Sequence, residues 1–167
     1  MPVSQRGTIV TPAFPCMYLT ILTLHSFFRW VVLLGILTGI FRASRGLLGR
    51  LPFTPLDNTI RHTTATLAHV QLILGYGLYL VSPLLASFHL RDAEHEPTAL
   101  FFGVQHVALM TIAITVLTIG SALAKRQATD QAKFRTMAGW FALALLIILV
   151  AIPWPFSPFA QRPLIRL

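Results

Sequence analysis

Six histidines occur in the 167 residues, and three of them stand where an ionisable group is costly. His25, His69 and His106 each fall inside a long apolar run, whereas His89 and His95 lie in a polar stretch and His62 sits beside Arg61. A neutral imidazole can ligate a metal through one nitrogen or pass on a proton. At membrane depth such a residue is a functional suspect by default. The plainer alternative is a hydrogen bond between helices. Arg29 follows His25 by four residues and so shares its helix face. The four apolar runs contain no acid, so the partner of Arg29 has to be a lipid phosphate, a loop carboxylate or an anionic ligand group. Snorkelling to the headgroups is the simpler fate of such an arginine.

The composition says what must hold these residues. Apolar residues make up 55% and charged residues 11%; mean hydropathy is +0.72. Too little polar sequence remains for the skin of a soluble domain, which also excludes a disordered tail or a nucleic-acid module. A crossing helix needs about 20 apolar residues. Four segments qualify, at about Tyr18 to Phe41, Thr63 to Phe88, Thr98 to Ala124 and Thr136 to Ile152. The expectation is an all-α, integral membrane four-helix bundle at 18–156, with an irregular arm at 1–17 and a tail at 157–167. Pro153-Trp154-Pro155 should end the last helix, and no basic region or cleavage site marks the first as a signal peptide.

The net charge of +8 reads as topology. Arg42, Arg45, Arg50 and Arg61 face one acid, Asp57, in the first loop, and Lys125, Arg126, Lys133 and Arg135 face Asp130 in the third. The second connection sets Arg91 against Asp92, Glu94 and Glu96. By the positive-inside rule the basic loops face the cytoplasm and both termini face outward. Leu47–Asn58 reads as a turn-rich connector in which Asp57 or Asn58 caps the next helix. The lone Cys16 permits no intrachain disulfide, and its lipidation would need a signal-type precursor.

At 1.5 Å per residue, His25 lies about 25 Å along its helix from Arg42, and His106 about 28 Å from Lys125. Those two share a level in the outer half, while His69, about 12 Å from Arg61, belongs to the inner half. Two imidazoles at one depth on different helices suit the axial ligation of a haem b, with Arg29 on a propionate. Gly35, Gly39 and Gly103 would provide small surfaces, and Phe27, Phe28, Trp30, Phe101 and Phe102 could wall the pocket, although lipid contact is the commoner role of such rings. His69 and Gln71 could instead serve a quinone, and His106 with Met110 at i, i+4 gives a weak copper pattern.

Several strings are familiar. Leu24-His25-Ser26-Phe27-Phe28-Arg29-Trp30, Ala68-His69-Val70-Gln71 with Gly75, Leu78-Tyr79 and Ser82-Pro83, Phe101-Phe102-Gly103-Val104-Gln105-His106, Asp130-Gln131-Ala132-Lys133 and Ile152-Pro153-Trp154-Pro155 all contribute. Together they resemble a family of small four-span bacterial membrane proteins labelled cytochrome b-like. The resemblance implies a multi-pass protein of the bacterial inner membrane, with His25, Arg29, His69 and His106 as its cofactor positions. Gln105 stands where the family pattern has an acid, which would remove a charged second contact from His106. The leading expectation is a haem-binding, electron-transferring subunit working with the quinone pool or a larger complex. The competing one is a cofactor-free or pigment-binding accessory subunit of a respiratory or photosynthetic assembly, partnered by lipid and other membrane subunits. No Ser-His-Asp set, phosphate loop or intramembrane carboxylate pair points to a free-standing enzyme.

Overall fold

The computed structural model describes residues 15–86 and 97–156. It contains four helices long and apolar enough to cross a membrane: α1 (Pro15–Leu48), α2 (Pro55–Val81), α3 (Pro97–Arg126) and α4 (Asp130–Ala151). A single helical turn at Pro83–Ala86 follows α2. Most of the expected arm, the acidic connection with His89 and His95, and the expected tail lie outside the described residues. Each helix packs on the next, and α1 closes against α4, which makes an up-down-up-down ring.

Local chemistry rather than hydropathy sets the helix ends. The 34 residues of α1 span about 51 Å, well beyond the roughly 30 Å of a hydrocarbon core. Residues 15–17 therefore belong to the helix and not to the arm, and Arg42 and Arg45 ride on its last turns rather than in a loop. Only residues 49–54 separate α1 from α2, so the expected connector shrinks by half. The turn is closed by Leu51 N–H donating to Gly46 O at 3.0 Å, with Arg50 at φ 48° in the left-handed position that glycine usually takes.

The cap of α2 is Thr54, not Asp57 or Asn58. Thr54 Oγ1 accepts from Asp57 N–H at 3.4 Å, and Asp57 Oδ2 accepts from Thr54 N–H at 2.9 Å, which forms a capping box with Pro55 as the first helical residue. Asp57 Oδ1 then accepts from Arg42 Nε at 2.8 Å, tying α1 to α2. Only 1% of Asp57 is exposed, so the second span does carry an acid, at its basic end. Arg61 is likewise packed inside, 4% exposed. Its Nη1 donates to Ser121 O at 2.7 Å and Oγ at 2.6 Å, and its Nη2 to Asn58 Oδ1 at 2.8 Å, joining α2 to α3. Thr129 caps α4 by accepting from Ala132 N–H at 3.2 Å, so that helix starts six residues before the apolar run.

Small residues let the helices approach. A Cβ on Gly39 would stand 2.9 Å from the Phe141 ring, one on Gly35 3.1 Å from Thr64 Oγ1, and one on Gly46 would overlap the Phe134 ring. Gly35 and Gly39 are thus filled by α2 and α4 side chains and leave no room for a ligand. Ile36, Ala43, Ala68, Leu117 and Met137 complete the dry core.

Breaking the buried pair should cost more than breaking the surface one. Asp57→Ala should lose roughly 2–4 kcal/mol in a denaturant melt in detergent, because it strands Arg42 and removes the cap contact. Asp130→Ala, whose partner Lys133 lies at 3.2 Å on the exposed side, should change stability by less than about 1 kcal/mol.

Candidate cofactor site

At the end of the bundle opposite the basic connections, α1 and α3 bring His25 and His106 together. Their ring centroids lie 6.4 Å apart and their planes meet at 70°. Both line a cavity of about 160 Å³ that is open at one side, along with Arg29, Gln71, Gly75 and Phe102. Met110, Ile114, Ile148 and Ile152 give it an apolar floor, and Tyr18, Tyr76 and Tyr79 also line it.

The local backbone explains how His106 is aimed. Residues Phe101–Gln105 form a π-helical turn, and His106 N–H bonds Phe101 O five residues back. That register lays Phe101 against the imidazole, with ring centroids 5.7 Å apart, and Phe102 follows at 5.9 Å. On the far side, His106 Nδ1 lies 2.8 Å from Ala151 O. In a continuing helix the Ala151 carbonyl would accept from residue 155, but Pro155 has no N–H. Pro153 frees Leu149 O in the same way, and Trp154 Nε1 takes it at 2.8 Å. A carbonyl can only accept, so Nδ1 of His106 carries the proton and Nε2 keeps its lone pair. The second contact of His106 is therefore a main-chain oxygen, not the side chain of Gln105.

His25 sits in a different setting. Gly75 on α2 makes its berth: a Cβ there would stand 3.2 Å from the imidazole Cε1 and 3.6 Å from Nδ1. Gln71, one turn earlier, donates from Nε2 to His25 O at 3.0 Å. Among the described residues, Nδ1 of His25 and Oε1 of Gln71 are buried without a partner in good hydrogen-bond geometry, and the His25 ring also interacts with the Gln71 main chain. Arg29 lines the same cavity and lies over the Trp30 ring, 5.2 Å from guanidinium carbon to centroid.

Other expected residues are elsewhere. His69 does not line the cavity. Its Nδ1 donates to Ala65 O at 2.7 Å and its Nε2 faces the Thr118 hydroxyl at 3.3 Å, which bridges α2 to α3. Phe27 is 63% exposed, and neither it nor Phe28 nor Trp30 walls the cavity; of the expected rings only Phe102 does. Met110 shares the cavity with His106, but among the described residues no group of three or more His, Cys, Asp or Glu side chains gathers for a metal. Nothing in the sequence singles out Gly75 as a site residue, because its role depends on a contact between distant helices.

The donor set fits a haem. Two imidazoles with centroids 6.4 Å apart are near enough to share one metal ion. One imidazole is already fixed with a free Nε2, a glycine gives the other its space, and an arginine of the same cavity supplies positive charge. The chain matches no protein-family model, no curated protein and no solved structure, so the resemblance to cytochrome b-like proteins rests on its motifs alone.

Pro155→Ala should give Ala151 O a competing backbone donor. The expected result is a fall in the Nδ1–H form of His106, read by nitrogen NMR of histidine-labelled protein. An unchanged tautomer ratio would mean that the proline does not free that carbonyl.

Proposed function

We propose that this chain is a b-type haem protein of the membrane that transfers single electrons as a subunit. The observation that carries the reading is the pairing of His25 and His106 at 6.4 Å in one cavity reached by Arg29. His25 and His106 would hold the haem, and Arg29 would partner one of its carboxylates. When bound, haem supplies the one-electron step. The chain does the rest. Ala151 holds His106 with Nε2 free, the aliphatic floor gives the site an apolar wall, and the Arg29 charge favours an anionic group there. His69 then acts between helices and not at the cofactor.

The positive-inside rule puts the Arg- and Lys-rich end in the cytoplasm, which sets the cavity in the outer half of a bacterial inner membrane with both termini outward. From that depth the site would exchange electrons with a lipid-soluble quinol or a neighbouring subunit. A cofactor-free accessory subunit is the competing reading, favoured by the bonds that His69 and His106 already make inside the bundle.

Purified protein should show a reduced-minus-oxidised haem b spectrum, with one haem per chain by pyridine haemochrome. His25→Ala and His106→Ala should abolish it. His69→Ala should keep it and cost about 0.6 kcal/mol of stability, the usual worth of such a membrane hydrogen bond. A folded, colourless wild-type protein would favour the accessory subunit.

A further inference from the structure

We infer that the basic end of the bundle holds one anionic phospholipid, its phosphate clamped by Arg42 and Arg45 and an acyl chain lying along the outer face of α1. The inference is independent of any cofactor at the histidines. An open notch of about 190 Å³ lies between the end of α1, the turn at residues 49–54 and α4. Arg42 and Arg45 both line it and, three residues apart, share a helix face. Arg42 spends its Nε on Asp57 Oδ1, which leaves four of the five N–H groups of its guanidinium for another acceptor. Arg45 is exposed, and among the described residues no carboxylate stands within ion-pair distance of it. Asp57 also lines the notch, but both its oxygens are engaged, by Arg42 and by the N–H and hydroxyl of Thr54. Two guanidinium groups against one engaged carboxylate leave the notch positive. Around it, residues 42–61 and 125–135 set eight Lys and Arg against two Asp. The walls are fixed by the protein itself. Leu51 N–H donates to Gly46 O at 3.0 Å, Gln131 Nε2 donates to Leu51 O at 3.2 Å, and the Phe134 ring covers the bare Cα of Gly46.

The outer face of α1 says which anion fits. Leu34, Leu37, Phe41 and Arg45 follow one another at helical spacing, and the first three are exposed apolar side chains. An apolar stripe therefore runs along the bundle and ends at a cation, at the level where the lipid-facing surface gives way to charge. A free phosphate would use the cation alone, whereas a phospholipid uses both. Basic pockets between membrane helices suit anionic headgroups, and each nearby Lys or Arg is worth roughly fivefold in affinity. The test is native mass spectrometry of the full-length protein in neutral detergent, with phosphatidylglycerol, phosphatidylcholine or inorganic phosphate added. Wild type should retain one phosphatidylglycerol per chain in preference to phosphatidylcholine. Arg45→Gln should weaken that retention roughly fivefold. Arg126→Gln, which removes the same charge outside the notch, should leave it unchanged. Equal losses in the two variants, or equal retention of the two lipids by wild type, overturn the inference. Displacement of the lipid by millimolar phosphate overturns the lipid assignment and makes the notch a site for the free anion. Should Arg45→Gln melt early, the choice of wild type between the two lipids decides.

Discussion

Inside hydrocarbon no water is present to complete a hydrogen bond, so every nitrogen of a buried imidazole must be answered by the protein or by a ligand. The three membrane histidines meet this constraint differently. His69 spends both nitrogens on Ala65 and Thr118. His106 spends one on a carbonyl that a proline has left open. His25 turns its ring towards α2, where the Gln71 main chain and the bare Cα of Gly75 meet it. On the haem reading, those two rings, held 6.4 Å apart, would be a binding site and His69 a tie between helices.

The two ends of the bundle divide the work. At the basic end the structure is closed tight: Arg42 on Asp57, Arg61 on Ser121, and phenyl rings seated on glycines. At the histidine end the helices part around a cavity, and the polar groups facing it are held from behind by main-chain atoms. A site built on rigid helices keeps its geometry better than one on loops. Close packing is thus concentrated at the basic end, and the histidine cavity lies at the other.

Hydropathy reveals the four spans, and the rise per residue alone puts His25 and His106 at one level. Those features are local, one being composition and the other helix geometry. The boundaries are less legible. Thr54 and Thr129 cap their helices well outside the apolar runs, so Asp57 and Arg61 look like loop residues in the sequence although they are packed in the core. The partners of the histidines are not legible at all. Ala151 and Gly75 meet their imidazoles, and the Gln71 amide meets the His25 carbonyl, only because distant helices pack, and an apolar period carries no record of which face meets which. Pro155 reads as a helix stop, and its second effect, freeing a carbonyl four residues back, appears only once His106 is opposite it. The π turn before His106 leaves no signature beyond Gly103 in its middle.

The most direct measurement is low-temperature electron paramagnetic resonance of the oxidised, purified protein. Two neutral imidazoles on one iron, with planes near the observed 70°, should give a low-spin ferric signal of large anisotropy. A high-spin ferric signal, or a low-spin signal that survives His25→Ala and His106→Ala, would contradict the pairing of these two residues on one metal.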